Sequence, residues 1–166
     1  RALQGLLLAP AVPLLVGCGA LEPSTHAVPG YYLLEAAFPA VPAAAAEAPT
    51  VLVQPPRAAA GFDSQRILYL REAGRLEYFA HNEWVDPPAR MLGPLLVAAL
   101  QSTGAYRAVL LAPSVHRSQL QLDTQVLRLQ QEFTARPSRV RFGLRASLGD
   151  ARTRRVLATR DFEAVV

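Results

Sequence analysis

The sequence has no lysine and only one cysteine, Cys18, in its 166 residues. A single cysteine cannot form a disulfide within the chain, so the stability of the fold must come from its apolar core. All 17 basic residues are arginines, a bias that reflects genome composition as much as function. The longest uncharged apolar run, residues 2–16, is shorter than the ~20 residues that a transmembrane helix needs. These shortages exclude a disulfide-stapled scaffold and argue against an N-terminal membrane span.

The sequence also lacks the residue patterns of an active site. It contains no nucleophile with a base at a usable spacing and no paired carboxylates. A G-x-S-x-G motif, a P-loop, a dinucleotide fingerprint and a cysteine-based metal site are missing as well. Three histidines, His26, His81 and His116, fall in segments that predict a tether or turns, so they are expected at the surface. The sequence predicts no enzyme, no cofactor and no metal.

The apolar N-terminal run is interrupted by Gly5, Pro10 and Pro13, which is typical of a signal peptide and not of a core helix. Its last residues, Leu15-Val16-Gly17-Cys18, resemble the bacterial lipobox. This resemblance implies that Cys18 receives a diacylglyceryl thioether and becomes the mature N-terminus, and Gly19 after it favours the outer membrane. The alternative is a buried free cysteine after a chance apolar run. Export also argues against a nucleic-acid partner.

These features divide the chain into three parts. Residues 1–17 are the predicted lipoprotein signal peptide, and residues 18–30 are a short lipidated tether whose prolines favour an extended spacer. Residues 31–166 have enough material for one domain with a core. The C-terminal part is the more basic, because residues 105–166 hold 11 arginines and 5 acids. Such an excess indicates an anionic partner or, more commonly, charge on the outward face of strands.

The domain is predicted to be α+β, with a mostly antiparallel or mixed sheet and a helix packed on one face. The helix is expected to begin with Asp86 as N-cap and Pro87 at its first position, and to stop near Gly104. A hairpin turns at Gly74, with Ile67, Tyr69, Leu76 and Tyr78 expected on one face. Further strands are predicted at 31–34, 50–53, 106–111, 119–133, 139–148 and 155–166.

Two of these strands carry further information. In residues 119–133 the apolar positions shift by one residue after Val126, which predicts a β-bulge. In the next strand Arg139, Arg141 and Arg145 alternate with apolar residues, so they form a row on one face that could meet lipid headgroups or an acidic partner. A solvated face without a ligand is the alternative. Trp84, before the helix, is expected in the core, with a partner contact as the alternative.

The order of these pieces resembles the ABC-type transport auxiliary lipoproteins of the PqiC kind. The resemblance is carried by the lipobox, Tyr31-Tyr32-Leu33, the Val-Leu-Val strand, Arg66-Ile67-Leu68-Tyr69, Tyr78, Trp84, Pro87, Met91-Leu92, Val156-Leu157 and Arg160-Asp161-Phe162. It implies an outer-membrane lipoprotein that faces the periplasm and serves a lipid-transport system built on MCE-type proteins.

The same resemblance implies another helix after the last strand, so the fold is expected to lack its C-terminal helix. Leu144, Leu148 and Phe162 are then expected to lie without a covering element.

Three hypotheses follow for function. The first is a non-catalytic auxiliary subunit of an envelope lipid-transport system, which requires a partner protein. The second is a stand-alone protein that binds a lipid or another apolar ligand, which requires a cavity between helix and sheet. The third, a lipid-anchored hydrolase, is disfavoured because no site can be assembled from these residues.

Overall fold

A computed structural model describes residues 28–39 and 44–166 of the chain. The predictions for the signal peptide, Cys18 and most of the tether fall on residues outside this range. The described residues form one helix and nine strands. These are β1 (Gly30–Tyr32), β2 (Thr50–Val53), β3 (Arg57–Ala58), β4 (Arg66–Glu72), β5 (Arg75–Trp84), α1 (Pro88–Gln101), β6 (Ala108–Leu111), β7 (Leu120–Glu132), β8 (Arg139–Asp150) and β9 (Val156–Val165).

All nine strands belong to one open sheet organised around the long strand β7. Along one edge β7 pairs in parallel with β2, then β3, then β4. Along its other edge it pairs antiparallel with β8 over its whole length, and β9 follows β8 antiparallel. Beyond β2 lies β6, and beyond β4 lie β5 and β1. The sheet is therefore mixed, which confirms the predicted α+β class.

The helix α1 packs mainly against β6, β2 and β3. Beneath it Val51 and Val53 are fully buried, and they form a cluster with Val109 and Leu122. A second cluster joins Ala89 of α1 to strand residues. Because β2 lies between two strands and under a helix, its apolar run is buried almost throughout. Within the described ranges, no helix has the length and apolarity needed to cross a bilayer.

The predicted β-bulge in β7 is confirmed. Val126 pairs with Leu144, whereas Arg128 pairs with Gly143, so Leu127 is the extra residue. The bulge returns Leu129 to the side of α1, where it packs against the second core cluster. One inserted residue thus reconciles the phase change in the sequence with a single continuous strand.

The predictions for the start of α1 and for the cover of β8 are wrong. Asp86 does not cap α1: Pro87 is the N-cap, no side chain caps the helix, and Asp86 instead pairs with Arg90 at 3.4 Å. The reason is the Pro-Pro pair, because a residue before proline avoids the helical region and so delays the helix by one position. Leu144 is not left uncovered, since it is buried in the cluster that contains Ala89, and Leu148 is half-buried against the first cluster.

Candidate interaction surface

The row formed by Arg139, Arg141 and Arg145 lies on the face of the sheet opposite α1. Its neighbours in β8, Leu144 and Ala146, point into the core on the other face. The strand alternation therefore places the three arginines together, as predicted from the sequence.

The arginine row is balanced by carboxylates of the adjacent strands. Arg141 donates from Nε to Glu132 of β7 at 2.8 Å, and it also bonds Glu163 of β9. Arg145 makes a bidentate pair with Asp161 of β9, with both N–O distances 2.7 Å. The face is thus a ladder of ion pairs across three strands, and its positive charge is largely neutralised.

These pairs shift the titration of their members. The Arg141 guanidinium, and then Gln130, hold the pKa of Glu132 below its ordinary 4.5. The Arg145 guanidinium likewise lowers the pKa of Asp161 below 3.8. Each carboxylate is stabilised in its charged form by hydrogen bonds that only the charged form accepts fully. The ladder is therefore formed at neutral pH and is weakened by acid.

The outermost strand of this ladder, β9, is exposed at all of its positions. Phe162 is 53% exposed, as predicted for a residue without cover, and Leu157 is 46% exposed. Of the described strands only β8 pairs with β9, so one backbone edge of β9 has no strand beside it in this part of the chain. An edge with free donors and acceptors next to apolar side chains is suited to receive another strand.

Trp84 is the last residue of β5, three residues separate it from α1, and it is half-buried. Its backbone N–H donates to the Gln65 carbonyl at 2.7 Å, and in the sheet it is the register partner of Tyr32 in β1. Tyr31 and Tyr32 are exposed at 62% and 48%. Trp84 is therefore far along the sheet from the arginine row, and the structure does not bring these candidate residues together.

A feature that the sequence analysis missed lies on the β4–β5 hairpin. Tyr69 faces Glu77 and packs on Phe79, with ring centroids 4.7 Å apart, whereas Tyr78 faces Leu68. The predicted common face for Tyr69 and Tyr78 is thus wrong, because a register shift between Leu70 and Glu72, next to the turn, changes which residues face each other. The aromatic alternation was visible, but the register that decides the face was not.

The rings of Tyr69, Phe79 and Phe133 form an aromatic cluster, with Phe133 5.7 Å from Tyr69. The Tyr69 hydroxyl donates to Glu77 at 2.9 Å, and this bond is the main cause of a raised Tyr69 pKa. Beside the cluster is an open groove of about 630 Å³. Its lining consists of Tyr69, Arg71, Tyr78, Phe79, Ala80 and Phe133.

The chemistry of a metal site is not found in the part of the chain that the structure describes, since no three His, Cys, Asp or Glu residues come together there. The layer between α1 and the sheet is filled by side chains such as Val51, Val53 and Ala89. This packing leaves the second hypothesis, a ligand cavity between helix and sheet, without support.

A comparison with known families finds a match over residues 31–166 to the model of the ABC-type transport auxiliary lipoprotein component. Among curated protein sequences no significant relative is found.

Solved structures with the same fold include two that cover most of this chain. A Xanthomonas campestris protein of family DUF330 superposes with a TM-score of 0.70 at 26% identity, over 81% of this chain and 76% of that one. An uncharacterized protein superposes with a TM-score of 0.63 at 16% identity, over 84% of this chain and 80% of that one.

Proposed function

The chain belongs to the family of ABC-type transport auxiliary lipoprotein components, and on that basis we propose that it is a membrane-anchored, non-catalytic subunit of an envelope lipid-transport system. The observation that carries the proposal is the family match, which extends over residues 31–166 and so includes nearly every described element. An auxiliary component acts through partners, so its function depends on the surfaces that those partners contact. The proposed partner is an MCE-type periplasmic protein.

The proposed anchor is Cys18. A single acyl chain holds a protein on a membrane only marginally, whereas two or more hold it durably. We propose that a lipidated Cys18 keeps the domain at the outer membrane, facing the periplasm. Cys18→Ser should give a folded protein that leaves the membrane fraction. Unchanged membrane retention of this variant would contradict the anchor, and fractionation of the parent with the inner membrane would contradict the location.

The proposed docking element is β9. Its support is the exposure of the whole strand and of Leu157 and Phe162, because a partner strand could pair with the edge and cover these side chains. The chain offers a matched control: Leu157 in β9 is 46% exposed and Leu76 in β5 is 44% exposed. Leu157→Glu should weaken partner binding by ~10-fold or more, as for a residue at the centre of an interface. Leu76→Glu should bind as the parent does.

The arginine row has a narrower role in this proposal. Arg141 and Arg145 already hold carboxylates of the sheet, so reversing their charge would disturb β9 itself. Among the described residues Arg139 has no carboxylate within ion-pairing distance, and we propose that it attracts acidic residues of the partner. Arg139→Glu should slow association at low salt, and the difference should shrink at high salt because exposed charges are screened beyond ~10 Å at 0.1 M.

The test of the function itself is purification of the lipidated protein from membranes, followed by identification of the proteins that remain bound. Recovery of subunits of an ABC-type or MCE-type transport system is the expected result. Recovery of the protein alone under mild conditions, with measurable turnover of a lipid ester, would favour the hydrolase hypothesis instead.

A further inference from the structure

The groove on the β4–β5 hairpin combines an apolar floor with one cation. The floor is the aromatic cluster, in which Tyr69 is buried at 8% exposure while Phe133 remains 43% exposed. The guanidinium of Arg71 lies over the Tyr69 ring, 5.2 Å from its centroid. We propose that this groove binds a single anionic amphiphile, with the charged head on Arg71 and the acyl chain along the aromatic rings.

Arg71 is available to a ligand head. The neighbouring Arg75 pairs with Glu72 at 3.1 Å and lies 3.6 Å from Glu77, whereas no described carboxylate lies within ion-pairing distance of Arg71. Glu77 also accepts a hydrogen bond from the Tyr69 hydroxyl. Glu72 and Glu77 are therefore occupied by other partners, and Arg71 can form a bidentate pair with a phosphate or carboxylate.

The apolar part of the groove suits an acyl chain. Its volume, about 630 Å³, lies within the ~300–1,000 Å³ that is usual for small-ligand sites. The aromatic residues share the face that α1 covers elsewhere, because Tyr69 pairs with Gln131, two residues after the core residue Leu129. The groove is thus a part of the apolar face that α1 does not reach. An acyl chain that covers these exposed rings removes apolar surface from water, and this burial favours binding.

The inference deepens the proposed role in lipid transport and rests on that role for the source of the amphiphile. Its test is direct binding of dodecyl phosphate to the purified full chain carrying Cys18→Ser, below the micellar concentration, by calorimetry. The uncharged dodecyl maltoside and inorganic phosphate serve as comparison ligands. We expect saturable binding of dodecyl phosphate that is tighter than binding of either comparison ligand.

Matched variants locate the site. Arg71→Gln should weaken dodecyl phosphate binding by about tenfold or more, the size typical of a lost charged hydrogen bond. Arg71→Lys should retain part of the affinity. Arg75→Gln removes one charge from the same hairpin and should leave the affinity within about twofold of the parent, because its partner is Glu72 and not the ligand. Phe133→Ala should weaken dodecyl phosphate and dodecyl maltoside alike.

Absence of saturable binding, or equal losses for Arg71→Gln and Arg75→Gln, would overturn the site. Equal affinity for inorganic phosphate would also overturn it, since the rings would then contribute nothing. These outcomes are separate from failure of the proposed function: a chain that purifies with a transport system but binds no amphiphile refutes the groove alone. A chain that binds the amphiphile but recovers no partner refutes the auxiliary role alone.

Discussion

Beneath α1 the sheet buries Val51, Val53 and Val126 almost completely, whereas every residue of β9 remains exposed. The two regions share β7 and β8, yet they are held in different ways. The first is stabilised by apolar surface removed from water. The second is held by backbone pairing to β8 and by the Arg141 and Arg145 ion pairs.

This difference indicates where the protein is stable on its own and where it can receive a partner. Exposed ion pairs contribute little to stability and can be exchanged at small cost. Exposing the buried valines to water would remove a large part of the free energy that stabilises the fold. The β8–β9 hairpin is therefore the region in which a partner can add contacts without disturbing the core.

The largest expected effect comes from shortening a buried leucine. Leu122→Ala in the core cluster should lower the free energy of unfolding by about 2–5 kcal/mol, because the change removes buried methyl groups and leaves a cavity. Leu157→Ala in β9 should change it by only about 0.5 kcal/mol, as is usual for surface positions. Urea unfolding of both variants measures the difference. Equal losses would show that β9 is part of the core.

A smaller effect is expected from the ion pair that lies deeper in the ladder. Because the pKa of Glu132 is lowered below 4.5 in the folded chain, its ionised form stabilises the fold at neutral pH, and this contribution is lost as the pH falls through the folded pKa. Glu132→Gln should therefore unfold more readily than the parent at neutral pH, with the difference vanishing in acid. The exposed Glu47→Gln is the control, and a difference independent of pH would contradict the account.

The smallest effect is expected at the rim of the ladder. The Arg145 and Asp161 side chains are 49% and 52% exposed, against 27% and 14% for Arg141 and Glu132. Asp161→Asn should therefore lower the free energy of unfolding at neutral pH by less than Glu132→Gln does. As for Glu132→Gln, the difference between variant and parent should vanish in acid. An effect of Asp161→Asn that exceeds that of Glu132→Gln would show that the more exposed pair is the stronger one.

The same comparison explains what could be predicted from the sequence. The alternation in β8 and the phase change after Val126 are local patterns, and both predicted their strands correctly. The pairing partners of β7 are not local, because strands β2, β3 and β4 come from different parts of the chain. The face of Tyr69 depended on a register shift beside the turn, which leaves no mark in the alternation.

The candidate surface was predictable to a similar degree. The arginine row follows from spacing within one strand, but its neutralisation depends on acids from β7 and β9. The exposure of Phe162 was expected, whereas the cover of Leu144 by Ala89 requires knowing where the helix packs. The groove beside Arg71 brings together residues of three segments, so no single stretch of sequence could indicate it.

The most direct test of the account is photocrosslinking in the intact envelope from two exposed arginine positions of the lipidated full chain. One crosslinker replaces Arg160 in β9 and the other replaces Arg90 in α1, and the captured proteins are identified by mass spectrometry. We predict that position 160 captures a subunit of an ABC-type transport system and that position 90 does not. Capture of that subunit from position 90 alone, or equally from both positions, would contradict the proposal that β9 is the docking element.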